Sequence, residues 1–464
     1  MPAAVPTHSE MLALESATQT RFKALEDRLA ALEAPPPPPE DAPAGIVVTP
    51  ADNLQEAIDD AGVTPIYLRA GGPYLGGFKL RNATTLIAYP GEAPMLIGAK
   101  PVPPEIWKKS GNAHSIGWGQ PFHQHPASQV RPGPAGLRHR SNMQPHMLIV
   151  DGNPMRTVFK TDDLLPGCIY IEGTAASPIR LWARFPDDRP PADFEVLAAV
   201  HQRVLYCDEK DVDGVHLEGL TLRYCANTGY QGMIDFPEMS NRWTLRKMDL
   251  QWSNTEGLRI MGAGHLLEDI HILNHGQSGI SAEKMTDCTL DKVTTSYNNW
   301  KGFDQKWDAG NKIRNSKENV ITNLFAAGNP IWFDIWNQGN RMQHFQIINA
   351  PCWGLHVEHN SSNNEFMDGV IRGATIYEDI ADTGANLHIQ GNIAGCTFAR
   401  IKLEQGHSVH YKKTEVRGGF VNYSGPNTFD AIEHDGRWVI EGDPNHLPDV
   451  FLNMDKPAIT VWSR

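Results

Sequence analysis

The chain lacks the features that mark most membrane-bound, secreted and nucleic-acid-binding proteins. No run of about 18 apolar residues occurs, so no segment is expected to span a membrane. The opening stretch MPAAVPTHSEM has no apolar core of about 7–15 residues, so no secretory signal is expected. Cysteine is scarce, at 6 in 464 residues. Cys168, Cys207, Cys225, Cys288, Cys352 and Cys396 are widely scattered and form no CxxC. This excludes a disulfide framework or a thiolate metal site. They read as small buried apolar residues of a chain assembled in a reducing compartment. Lys and Arg (41) are outnumbered by Asp and Glu (54), for a net charge of −13. A general nucleic-acid binder would need basic patches instead.

Turn-formers are abundant. The 41 Gly and 34 Pro favour many short strands, and 464 residues exceed one ordinary core unless the fold is a repeat or a large β architecture. The start of the chain differs. Residues 9–33 place Phe22 and Leu29 at a, and Met11, Thr18, Leu25 and Leu32 at d, of a short heptad seam. Arg21-Phe22-Lys23-Ala24-Leu25-Glu26 is followed by Arg28-Leu29-Ala30-Ala31-Leu32-Glu33, seven residues on. This resembles a signature of three-stranded parallel coiled coils. An Arg stem covers the seam while its head pairs with Glu on the next chain. Residues 1–34 are therefore expected to form a trimerising anchor. A stiff Pro-rich linker follows at 35–44.

From residue 45 a repeat emerges. Residues 53–62 read as a short helix with Leu54 and Ile58 on one face. This capping helix before the first strands resembles the entry of pectate-lyase-like right-handed β-helices. Between 199 and 412, second strands are expected to begin GLRI at 257, GISA at 279, GFDQ at 302, PIWF at 330, GLHV at 354 and NLHI at 386. Their steps of 22, 23, 28, 24 and 32 residues mark a coil that stacks on itself. Asn227, Asn254, Asn274, Asn298, Asn329 and Asn349 recur at the turn after the first strand and are read as a hydrogen-bonded scaffold. The expected fold is all-β, a right-handed parallel β-helix with a short N-terminal coiled coil. Residues 45–98 form its entry, 99–198 an inserted β region, 199–412 the main coils, and 413–464 a final β cap.

The candidate site comes from strand alternation. With Ile331 and Phe333 inward, Trp332 and Asp334 face out. One coil on, Leu355 and Val357 face in and His356 and Glu358 out. The next coil sends Leu387 and Ile389 in and His388 and Gln390 out. Asp334 and Glu358 should then stack about 5 Å apart. That matches the two acids of a retaining glycosidase, ~5–5.5 Å, rather than the ~6.5–9.5 Å of an inverting one. Such close like charges raise one pKa, leaving one acid protonated and the other ionised. Spacing alone does not say which.

Asp334-Ile335-Trp336-Asn337-Gln338-Gly339-Asn340-Arg341 follows an Ile-Trp-Phe strand, and Glu358 comes one coil later, ahead of Asn363-Asn364. This resembles the β-helical β-xylosidase family of retaining glycoside hydrolases, well over residues 300–366 and loosely over 45–412. The resemblance implies that Asp334 is the nucleophile and Glu358 the acid/base. Only HNSS separates Glu358 from the Asn pair here, a shorter segment than the family's, so xylose is not carried over. Trp307, Trp332, His356, His388, Gln390, Asp304, Lys306 and Lys312 are the candidate substrate-binding residues, with Lys312 in a bulged loop. Glu283 extends the same face.

The expected protein is a trimeric tailspike- or fibre-type hydrolase of a bacterial surface polysaccharide. It would need no cofactor, would be attached to a virion tail or baseplate through residues 1–34, and would be released without a signal. One alternative is a polysaccharide lyase with Lys312 or Lys306 as base and Ca²⁺ held near Asp334 and Glu358. Another is a fibre that binds glycan without cutting it.

Overall fold

The computed structural model describes residues 43–122, 144–301, 310–351, 353–374, 385–390, 393–405 and 409–412, with short strands at 428–430, 433–434, 438–441 and 459–462. The coiled-coil segment 1–34 lies outside the described residues. The chain folds as a right-handed parallel β-helix. A twelve-stranded parallel sheet forms one wall, from Phe78–Lys79 through Glu256–Ala263, Asn311–Arg314, Ile331–Phe333 and Trp353–Glu358 to Ile459–Trp462. An eighteen-stranded sheet forms the rest of the wall by bending over two faces.

That bend has a stacked backbone cause. Lys247, Asp269, Lys292, Asn323, His344, Asp368 and Arg400 occupy successive coils, each with φ between 50° and 59°. One left-handed residue per coil turns the strand while hydrogen-bond register resumes on both sides, as at Arg246↔Glu268 and Met248↔Ile270. Lysine and arginine gain nothing locally from this conformation; the stacked coils above and below impose it.

The interior is a continuous column. Leu258 and Ile280 stack inward, followed beyond the buried Asn311 by Ile331, Leu355 and Leu387, and Phe333, Val357 and Ile389 stack alongside. Each fully buried side chain of this size contributes about 1.5–3 kcal/mol. At one inner corner side chains have no room. A Cβ on Gly257 would lie 2.5 Å from His275 Nε2, and one on Gly354 2.2 Å from Ile371 Cγ2. The helix Leu54–Ala61 caps the column, burying Leu54 and Ile58, and the Asn53 side chain accepts from the Glu56 N–H.

Two expectations change here. GFDQ at 302, expected to begin a coil strand, lies outside the described residues. Asn311–Arg314 supplies a coil strand, pairing with Ser281–Glu283 on one side and Ile331–Phe333 on the other. Lys312 therefore sits within the sheet, not in a loop. The asparagine ladder also has different members. Asn227, Asn254, Asn298 and Asn329 belong, with His275 between Asn254 and Asn298. Asn274 and Asn349 take left-handed φ values beside it. A second ladder joins Cys288, Asn319, Asn340 and Asn364.

Between 99 and 199 lie two further sheets. One has four strands, Asn153–Pro154, Met147–Val150, Val196–Ala199 and Ala99–Pro101. The other has five, Arg156–Thr157, Cys168–Gly173, Pro178–Arg184, Ala113–Gly117 and Lys108–Ser110. They enclose a core of their own around Trp107, Trp118, Ile171, Leu181 and Phe185. Met147, Ile149 and Ala199 dock on Tyr224 and Ile97 of the coils. The Lys301 ammonium, buried between the two parts, donates to Gln144 O at 2.9 Å and to Asn254 Oδ1. Beyond residue 412, the described strands pair in parallel with the coils before them, so coil stacking continues into the segment expected to be a cap.

Candidate active site

The twelve-stranded wall carries the acids. Trp332 pairs with His356 and Phe333 with Val357; one residue further, Asp334 lies against Glu358. Glu358 in turn pairs with Gln390, and His356 with His388. The column of Trp332, His356 and His388 continues back through Lys312, Ser281, Arg259 and Asp235.

The Asp334 carboxyl lies near enough to Glu358 to act on it through charge and hydrogen bonding. Burial pushes the Glu358 carboxyl up to about 7, and the neighbouring Asp334 charge adds to the rise. The Lys312 ammonium and an indole N–H pull the other way. That N–H is Trp332 Nε1, which donates to Glu358 Oε2 at 3.0 Å. His359 Nε2 lies 3.2 Å from Glu358 Oε1. Asp334 is less enclosed. Its Oδ1 accepts the Ile335 N–H at 2.8 Å.

Outward does not mean exposed in this column. Trp332 is 2% exposed and His356 and His388 1% each. These rings were expected to line an open groove. Instead they form a buried stack beneath the acids, completed by Trp353. Trp332 lies on His356 with centroids 5.0 Å apart, and Trp353 on His388 at 4.6 Å. Lys312 Nζ rests 3.8 Å from the Trp332 ring centroid. Trp332 therefore offers no free face to a sugar; it positions Glu358. Arg314, one coil from Asp334, bonds Glu283 (Nη2–Oε2 2.7 Å), so Glu283 is a structural partner.

Trp307, Asp304 and Lys306 lie outside the described residues, as does the Gln390 side chain. Among the described residues, no group of three or more His, Cys, Asp or Glu is arranged to hold a metal ion. Sequence reasoning missed Trp353, His359 and Arg314. His359 was legible as the residue directly after the acid; Trp353 carried no signal, since its inward parity hid the outward stack. Asn340 and Asn364 of the quoted motifs are ladder residues. That part of the motif serves the scaffold.

No family model matches the chain, and no curated protein matches it. Solved structures resemble it loosely. The complex of XylC with xylose is 10% identical, covering 81% of this chain and 78% of that one at a TM-score of 0.45. A glycoside hydrolase is 10% identical, covering 84% and 97% at 0.47. The tailspike gp49 of Pseudomonas phage LKA1 is 9% identical, covering 84% and 74% at 0.31. At such distances nothing those proteins bind or cut transfers to this chain. The parallel register described above establishes its fold independently. Among the described residues, no helix is long and apolar enough to cross a membrane.

Proposed function

We propose that this chain is a polysaccharide-hydrolysing β-helix that works by a retaining two-carboxylate mechanism. The observation that carries the reading is a pair of neighbouring carboxyl groups on adjacent coils, Glu358 enclosed with its pKa raised to about 7 and Asp334 nearer solvent. Asp334 attacks the anomeric carbon while Glu358 gives its proton to the departing glycosidic oxygen. The C–O bond to the leaving sugar breaks as the Asp334–carbon bond forms. Water then attacks that carbon, gives a proton to Glu358 and frees Asp334. The indole of Trp332 and the imidazole of His359 hold Glu358 in place through both steps.

The lyase alternative has less support. Lys312 packs against the indole, and Lys306 lies outside the described residues. The heptad seam and proline run support a trimeric spike that meets bacterial surface glycan. Sedimentation of the full chain against one lacking residues 1–34 tests the trimer.

Activity is tested by incubation with bacterial surface polysaccharides, reading reducing ends, product mass and anomer. New reducing ends with retained configuration, lost in Asp334→Asn and in Glu358→Gln, support the reading. Products absorbing through a new double bond, or cleavage unchanged in both variants, overturn it.

A further inference from the structure

The five-stranded sheet of the 99–199 region has one side packed on its core and one facing out. Ile116, Ile169, Ile171, Leu181 and Ala183 fill the core side. The outward side alternates with them. Tyr170 lies directly opposite Trp182, and Glu172 opposite Arg180. Trp182 is also opposite Ser115, which is opposite Lys108. Arg156 closes the row beside Cys168. Tyr170 and Trp182 are half-buried, while Lys108, Arg156 and Arg180 are exposed. Trp182 Nε1 donates to Glu172 Oε2 at 2.9 Å, and Arg180 Cζ lies 5.3 Å from the Trp182 ring centroid. Arg184 is clipped to Asp188 (Nε–Oδ1 2.6 Å).

We propose that this face is a second glycan-binding site, for a carboxylate-bearing polysaccharide, on a sheet separate from the acid pair. Two adjacent aromatic rings on a flat sheet present negative π-faces, which suit the weakly positive C–H bonds of a pyranose. On this face, among the described residues, Lys108, Arg156, Arg180 and Arg184 share the sheet with Glu172, opposite Arg180, and Asp188, bonded to Arg184, a local positive balance in a chain of net charge −13. Guanidinium groups beside the rings are shaped for bidentate carboxylate recognition. Glu172 at the centre, already accepting from Trp182 Nε1, can also accept hydrogen bonds from sugar hydroxyls. Single-stranded nucleic acid shares the need for aromatic and basic groups and is set against the glycan in the test below. The site does not rest on the hydrolase reading, since it uses no residue of the coil wall.

The test uses the full chain carrying Asp334→Asn, so that polymer is not consumed, in affinity gel electrophoresis and calorimetry. The probes are polygalacturonate and alginate, with neutral dextran and single-stranded DNA alongside. Retention by a polyuronate is expected, weakening as salt rises, with none by dextran. Tyr170→Ala with Trp182→Ala should lose at least about tenfold in affinity, a loss of some 1.4 kcal/mol, and Trp182→Phe should keep most of it. The exposed pair Arg156→Ala and Arg180→Ala carries the test if the aromatic double variant fails to fold. Three results overturn the proposal: no retention by either polyuronate, unchanged affinity in the folded variants, or tighter retention by DNA. Cleavage unaffected by Asp334→Asn would sink the hydrolase reading and leave this measurement intact.

Discussion

The coil wall holds two pairs of neighbouring acids, and they differ in placement as well as in surroundings. Asp334 lies level with Glu358 of the next coil, whereas Asp235 is level with Arg259 and Glu256 with Gly232. Burial raises both glutamates to about 7. Yet Glu358 has Asp334 beside it and is held by an indole and an imidazole. Glu256 is 2% exposed, and the dominant rise from burial is opposed by Arg259 and reinforced by Asp235. Asp235, itself pushed upward by burial, meets Arg203 (Nη1–Oδ2 3.5 Å). The 24-residue step brings Asp334 level with Glu358, while Asp235 and Glu256 approach from offset positions. Guanidinium groups offset the charge of that second pair, while the first sets a half-buried Asp334 beside the enclosed Glu358.

The largest effect should separate the pairs by activity. Asp334→Asn and Glu358→Gln should each cut turnover by about 10²–10⁴-fold, read as new reducing ends. Asp235→Asn and Glu256→Gln should stay within about threefold. Loss of activity in Glu256→Gln with an unchanged melting point would break the comparison.

Next comes stability against pH, where the pairs should behave alike. An acid whose folded pKa is raised binds more protons folded than unfolded, so stability falls as pH rises from the ordinary 4.5 towards about 7. Urea midpoints should drop across that window, by one to a few kcal/mol. Glu256→Gln and Glu358→Gln should each flatten part of the slope.

The glycine corner should separate them again. Gly354→Ala and Gly257→Ala both push a methyl into an occupied interior, costing about 1–3 kcal/mol. Gly354 is the second residue of the strand that carries Glu358, so its variant should also lose activity in the fraction that folds. Gly257→Ala should lose stability alone.

The smallest effect concerns Trp332→Phe. It keeps the ring but removes the N–H that favours ionised Glu358. The alkaline limb of kcat/KM should move up by about one pH unit, with the pH dependence of the Glu256 contribution unchanged. A limb that stays in place would show that the indole is packing only.

Much was legible before any coordinates. Two-residue alternation assigned Ile331, Phe333, Leu355 and Val357 to the interior, because a strand must send alternate side chains to opposite faces. The 24-residue step then stacked Asp334 on Glu358. The helix at 54–61 announced itself through Leu54 and Ile58. Other features were not local. Lys247, Lys292 and Arg400 turn the corner with left-handed backbones, although their residue types favour no such turn. The strand Asn311–Arg314 was hidden behind an insertion that broke the period. Outward parity did not foretell that Trp332, His356 and His388 would be buried, because exposure depends on what lies over a face, and that arrives from distant sequence. Periodicity is written residue by residue. The enclosure that keeps Glu358 protonated comes only from chain segments meeting in space, since a carboxyl loses its water only when other groups take the water's place.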